Sequence, residues 1–323
     1  MYNQNDNRST AKNRAVDLLT LLVDFEVRMD RKEFGKLIAA LREEHLDFSA
    51  RGMGVWTQAK LAKEANLPEK AISQIEQGRK MNLDAPTMTQ LAHALKLTAA
   101  EQVELFAAAA EVGADPQYLL RQPAAPALQM LLKLIGEIRL PAFICDHYTN
   151  VLASNTLALA VLDIPERMIQ AAPTLASGFN LLRVVFAAES PFRHLMGEQW
   201  GLRAEDSLRY FRTTTLRYRH TARFHAILAE LSILPSFRER WFTTQNDTPA
   251  DTPTWTTYTY THPDLGQLSF IAHISTTLTD QGALYLTTYL PCTKETAETF
   301  EGFIRRHGLG VRHFAHWPYI GDS

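Results

Sequence analysis

The side chains with the clearest capacity for chemistry lie between Glu69 and Arg79. At about 100° per residue, Glu69, Lys70, Ser73, Gln74 and Gln77 share one side of a helix, and Ala71, Ile72 and Ile75 the other. Lys, Gln, Ser and Glu are residue types that hydrogen-bond base edges in a DNA major groove. The N-terminal positions of a helix laid in that groove reach deepest. A plain amphipathic hairpin with a solvated face would show the same two sides, so the flanking residues have to decide.

They favour a helix-turn-helix. Thr57 is a good N-cap for a helix over Gln58–Glu64, since its hydroxyl can accept from an unpaired backbone N–H. Leu61, Ala62 and Ala65 recur at helical spacing, and the small Ala62 lets a second helix cross closely. Asn66–Pro68 makes the turn, with Pro68 suited to the first turn of the next helix. That helix runs to Gln77 and stops at Gly78, a residue free to take the left-handed conformation. Cap, small residue, turn and stop all fall at the right offsets.

The chain has 323 residues, too many for one such unit, so at least two domains are expected. With 46% hydrophobic and 21% charged residues it has the composition of a globular protein with a sizeable core. A net charge of −2 excludes a polycation that coats nucleic acid. Binding should instead rest on a few placed contacts, duplicated in a homodimer. The two cysteines, Cys145 and Cys292, form neither a metal motif nor a disulfide framework. No leader and no apolar run of bilayer length is visible, so a cytoplasmic protein with no membrane partner is expected.

The tract 33–113 resembles the Xre, lambda-repressor-like, regulators. The residues that carry this are Thr57–Gln58, Leu61–Ala62, Ile72–Ser73, Ile75–Arg79, Leu91–Ala92 and Ala94–Leu97. The resemblance implies an all-α, five-helix domain that binds double-stranded DNA. Glu69, Lys70, Ser73 and Gln74 would face bases, and Gln58, Gln77 and Arg79 would lie against phosphates, partly through backbone N–H groups. Asn66 stands where many relatives have Gly, and Asn tolerates left-handed geometry.

Around this unit the chain divides further. Residues 1–32 form an N-terminal arm, in which Ala15–Met29 has the apolar spacing of an extra helix. Asp47–Trp56 is read as a loop because of Gly52 and Gly54; Trp56 would fold onto the core, or with Arg51 touch a DNA backbone. Pro86 opens a helix, and Thr98–Glu101 is a capping box for the next. Residues 114–127, with Pro116, Pro123 and Pro126, read as a linker. Strands at Pro141–Cys145 and Asn150–Ser154 then precede a helical stretch, Leu181–Phe242. A meander follows at Thr254–Thr261, Gly266–Leu278 and Ala283–Leu290, closed by a helix over Thr293–Arg306. Strands, helices, then three strands is the order of an α+β, PAS-like domain with an antiparallel sheet, here spanning 128–306, with a tail at 307–323.

Over about 33–300 the chain is similar to the MmyB-like group, which joins an Xre domain to a PAS-like ligand-binding domain. Pro141–Ile144, Asn150–Asn155, Asn180–Arg183 with Phe186, Leu228–Ser232, Ser236–Trp241, and His262–Pro263 leading to Gly266–Leu268 carry it. The resemblance implies transcription regulation and a long-chain fatty acid as ligand. Leu268, Phe270, Ala272 and Ile274 alternate along one strand and give it an apolar face. Phe270, Ala272 and Ile274, with Phe143 and Leu152 from the first strands, are the lining expected under that resemblance. Ser154 departs from the group, where many members carry Trp, so the ligand could differ. A C-terminal domain that serves only dimerisation or a protein partner is the alternative.

Elsewhere the sequence offers little chemistry. Arg217–His225 gathers cationic and aromatic side chains; it could recognise a carboxylate or phosphate, or be a solvated face with Tyr218 and Phe224 turned inward. His313 and His316 could be half a metal site but lack further ligands. No phosphate loop, nucleophile elbow or acid pair stands out, so no enzyme and no cofactor is expected, a bound fatty acid apart.

Overall fold

The computed structural model describes residues 29–49, 52–79, 83–112, 114, 121–243 and 257–318. The extra helix read at Ala15–Met29 lies outside them except for Met29, as does Arg51.

The first domain opens with α1 (Arg31–Glu43), whose N-cap Asp30 accepts from the backbone N–H groups of Lys32 and Glu33. Its apolar stripe, Phe34, Leu37, Ile38 and Leu41, is fully buried. The tract expected to be a loop is instead a hairpin, β1 (Leu46–Ser49) and β2 (Gly52–Val55), paired antiparallel from Leu46↔Val55 to Ser49↔Gly52. Glycine content reports local backbone freedom and says nothing of a partner strand, which is why the hairpin was not legible. Trp56 does fold inward, stacked on His45 at 4.5 Å between ring centroids.

Next come α2 (Gln58–Glu64), α3 (Glu69–Glu76), α4 (Ala85–Ala94) and α5 (Ala99–Glu111). Thr57 caps α2 by accepting from Lys60 N at 3.1 Å, and Asn66 takes φ +52° at the turn. Gly78 ends α3 with φ +66°, and the next amide, Arg79 N, closes back onto Gln74 O at 2.8 Å. Gly35 on α1 lies against α3 so closely that a Cβ there would sit 2.4 Å from Glu76 O. The capping box is present: Glu101 N donates to Thr98 Oγ1 at 3.3 Å and Thr98 N to a Glu101 carboxylate oxygen at 2.9 Å.

Part of the expected linker is helical: α6 (Ala124–Glu137) begins at Pro123 and places Pro126 in its first turn. The second domain is built on a six-stranded antiparallel sheet of β3 (Ala142–Asp146), β4 (Val151–Asn155), β5 (Thr257–His262), β6 (Gly266–Thr279), β7 (Gly282–Pro291) and β8 (Val311–His313), in the spatial order β5-β6-β7-β3-β4-β8. The helix α6 covers one face, burying Ala127, Leu131 and Ile135 against Ile144, Leu152, Leu284 and Leu286. The other face carries α7 (Thr156–Val161), α8 (Glu166–Ala171), α9 (Leu181–Phe186), α10 (Phe192–Met196), α11 (Trp200–Thr215), α12 (Ala222–Leu231), α13 (Pro235–Thr243) and α14 (Lys294–His307) over a larger apolar cluster. Two strands, helices and a three-strand meander follow in the order read from the sequence. The tail adds β8 to the edge at β4 and buries Trp317 beside α6.

Several motif residues prove to be fasteners of this framework. Asn155 Oδ1 accepts from Ala142 N at 3.1 Å and Ala158 N at 3.0 Å, capping α7 while tying β3 to it. Asn180 donates to Tyr148 O and Asn150 Oδ1, both at 2.8 Å, and so locks the β3–β4 turn. Each satisfies buried polar groups that would otherwise oppose folding.

Candidate functional site

On α3, Ile72 and Ile75 are buried while Glu69, Lys70, Gln74 and, just beyond the helix, Gln77 and Arg79 are exposed. The division of faces read from periodicity is the observed one, and it aims four long polar side chains and a guanidinium at solvent. Ser73 is half-buried and accepts from Gln77 Nε2 at 3.1 Å. That bond ties two of the expected contact residues to each other one helical turn apart.

Gln58 differs from the rest. It is half-buried, and its Nε2 donates inward to Glu76 Oε2 at 2.8 Å. The same carboxylate accepts from Arg42, Nε at 2.8 Å and Nη2 at 3.1 Å, while Arg42 Nη1 donates to Trp56 O. The hydrogen bond to Glu76 leads the causes that raise the Arg42 pKa above its ordinary value. Glu76 therefore fixes α1, the start of α2 and the end of α3 in one arrangement. Sequence inspection assigned it no role, since a glutamate at a helix end reads as solvated.

In the second domain, Phe143 and Phe270 are buried on the same face of the sheet, joined through Tyr289. Phe270 stacks on Tyr289 with centroids 4.4 Å apart, Phe143 meets its edge at 5.8 Å, and Tyr258 stacks on Phe270 at 5.4 Å. Ala272 is half-buried against this cluster. Ser154 pairs with Phe143 in register, is buried, and donates to Asn155 O at 3.0 Å. Leu152 lies on the opposite face, against α6, and Ile274 is 41% exposed beyond the helical cover. Three of the five expected lining residues thus come together. Alternation assigns residues to faces, but register and helix placement decide which face is covered and how far.

A cavity of about 510 Å³ opens between α7, α8, the β5–β6 turn, α14 and β8. Leu159, Ile164, Leu265 and Phe303 in its wall belong to the same apolar cluster as Phe143 and Phe270. Arg306, His307 and Arg312 stand around it with Asp163, Glu166 and Asp264, and Arg312 is held by both carboxylate oxygens of Glu166 at 2.6 Å. None of these wall residues was read from the sequence as part of a site, because they come from five separate elements.

The basic run Arg217–His225 has a different role from either one expected. Tyr218 and Phe224 do turn inward, but the run is not a solvated face: Arg219 is completely buried. It reaches into the first domain, where its guanidinium donates to Glu101 and, at 3.0 Å, to Glu44 Oε2. Arg212 joins Glu101 at 3.1 Å, and both guanidiniums lie over the Trp241 ring, at 4.8 Å and 5.5 Å from its centroid. Arg217 adds Glu104 at 3.2 Å and Glu111 at 2.5 Å, His220 meets Glu33 at 2.7 Å, and Leu216 is buried within the first domain's core. Burial pushes the Glu101 carboxyl up, yet Arg219 and Arg212 outweigh it and hold the group at about 2. At Glu44 burial wins over the same two arginines and its pKa is raised. The Arg forks do recognise carboxylates, and those carboxylates are the chain's own.

A helix-turn-helix with an exposed polar recognition face, fastened to an α+β domain with an antiparallel sheet, defines a two-domain transcription regulator. The chain matches the helix-turn-helix family model over residues 51–102. Residues 124–301 match the MmyB-like transcription regulator ligand binding domain, which is more than half of the chain. The chain belongs to the MmyB-like transcription regulators. A search of curated proteins finds no match. Among the described residues no helix is long and apolar enough to cross a membrane.

Proposed function

We propose that this regulator reads duplex DNA with α3 and senses an apolar carboxylate, a long-chain fatty acid, in its second domain. Lys70 and Gln74, with Glu69 and Ser73, face bases; Arg79 and Gln77 lie against phosphates. Gln58 serves there through the backbone at the start of α2, its side chain being committed to Glu76. The observation that carries the ligand reading is the cavity of about 510 Å³, its apolar wall continuous with the core and arginines at its rim. That volume falls within the range of small-molecule sites, about 300–1,000 Å³. The buried arginines of the second domain supply the connection by which occupancy would bias the position of the first.

The stacked rings of Phe143, Tyr289, Phe270 and Tyr258 favour the other reading, a packed domain that serves dimerisation or a protein partner. Mass spectrometry of small molecules released from denatured protein separates the two. Wild-type protein, from cells or after incubation with C12–C18 fatty acids, should carry lipid. Phe303→Lys, which sets an ammonium in the apolar wall of the cavity, should retain none. Wild type without lipid under both conditions overturns the sensor reading.

A further inference from the structure

The charged side chains around the cavity are not all engaged. Arg312 gives both its outer nitrogens to the two oxygens of Glu166. Arg306 has no ion-pair or hydrogen-bond partner among the described residues, and neither has the carboxylate of Asp163 or of Asp264. The mouth thus presents an unengaged guanidinium and a pair of unengaged carboxylates to whatever enters.

Local structure fixes where these groups stand. Phe303, Arg306 and His307 fall at i, i+3 and i+4 of α14 and so share one face. Phe303 lies in the apolar wall, with the His307 ring 4.6 Å from its own. Arg306 follows about 5 Å further along the helix axis. An acyl chain laid on Phe303 therefore ends beside a guanidinium. The two acids each adjoin an apolar wall residue, Asp163 before Ile164 and Asp264 before Leu265. One carbonyl links them: Ala160 O accepts from Asp163 N at 3.0 Å and from His262 Nε2 at 2.9 Å. The other ring nitrogen of the buried His262, Nδ1, accepts from Asp264 N at 3.1 Å. Both carboxylates are thereby rooted in neighbouring backbone that cannot easily withdraw.

We propose that this mouth selects by end group: it takes an acyl chain ending in a free carboxylate and rejects the same chain carried on a phosphorylated thiol. The inference rests on the acyl-binding reading of the cavity and adds the residues that set its specificity. A single carboxylate matches the Arg306 fork, with two parallel N–H···O bonds. A neutral ester gives that fork no charge to bind. A phosphorylated carrier brings several more negative charges up to Asp163 and Asp264, and specificity built on repulsion needs such fixed like charges. Solvent at the mouth screens each effect, so selectivity of about tenfold per end group is expected rather than the thousands a buried site could reach. A regulator with this mouth reports the pool of free acid, before its carboxylate is joined to a carrier.

The test is displacement of a fluorescent polyene fatty acid from the full chain by hexadecanoic acid, its methyl ester and its coenzyme A thioester, each below its micelle concentration. The acid should bind about tenfold more tightly than either derivative. Arg306→Gln, at an exposed position, should bring the acid to within about twofold of the methyl ester. The double variant Asp163→Asn, Asp264→Asn should strengthen thioester binding about tenfold and leave the methyl ester unchanged. Asn also tolerates the φ of +50° at position 163. That arm separates repulsion from mere bulk, which the asparagines would not relieve. Wild type that binds ester or thioester as tightly as acid overturns the proposal. So does an Arg306→Gln variant that keeps the preference for acid, or an asparagine variant that still rejects the thioester. Binding of all three ligands alike removes this inference alone, whereas binding of none, the polyene probe included, removes the acyl reading of the cavity with it.

Discussion

Glu101 offers the sharpest test of how the two domains are held together. It is wholly buried, caps its own helix, and receives both Arg219 and Arg212 from the second domain. Holding its carboxyl at about 2 rather than 4.5 favours the ionised, docked form by about 3 kcal/mol, at about 1.36 kcal/mol per pKa unit. Because the folded value is depressed, this stability is fully present above pH 4.5 and is lost as pH falls toward 2. Glu101→Gln keeps an acceptor for the capping bond but leaves two buried guanidiniums short of a carboxylate. Breaking a buried pair by removing one partner costs about 3–5 kcal/mol, so a loss of that order is expected. Glu44 is the internal control. Its carboxyl is raised by burial, so the folded state favours its neutral form relative to the free group. Glu44→Gln should therefore be much milder, or stabilising. Urea unfolding of the full chain at neutral pH, with hydrogen exchange across α5 and the 212–219 segment, measures both. A Glu101→Gln variant within about 0.5 kcal/mol of wild type, or equal losses at the two positions, would refute the reasoning.

Alanine at Lys70 or Gln74 should weaken binding to the preferred duplex by about 1–3 kcal/mol and relax discrimination at the base it faces, as read by fluorescence anisotropy on a panel of sites. Arg79→Ala should instead weaken binding to all sequences alike and lower the salt slope by about one; a loss confined to one base position would make it a base reader. Glu76→Ala should cost on the order of 3 kcal/mol of stability, because it leaves the largely buried Arg42 guanidinium only Trp56 O and the exposed Glu43, and frees Gln58. An unaltered thermal midpoint for that variant would show the bond network to be incidental.

The first domain was legible because its determinants are local. Thr57, Asn66, Gly78 and the Thr98–Glu101 box each act within a few residues of themselves, and each holds the expected conformation. The amphipathic division of α3 survives for the same reason: Ile72 and Ile75 must be buried by whatever lies beneath them. Where the determinant is a strand pairing or a packing surface rather than a local residue type, the reading failed. The β1–β2 hairpin looked like a glycine loop, and α6 was hidden by prolines that sit before it and in its first turn, where they are compatible with a helix.

The second domain shows the same boundary at the level of single side chains. Alternation in β6 grouped Phe270, Ala272 and Ile274, but only helices placed by distant sequence decide where the cover ends, and it ends before Ile274. Arg219 is the extreme case. A stretch rich in arginine and histidine reads as solvated because burying an unpaired charge is prohibitive. The carboxylates that lift this prohibition are Glu101, 118 residues away, and Glu44, 175 residues away. Each looks locally like an ordinary helix-end acid. Charge burial is a property of the pair, and in this chain the pair forms only when the two domains meet. A substitution at either end therefore reports on domain docking as directly as one within the interface's apolar part, such as Leu216.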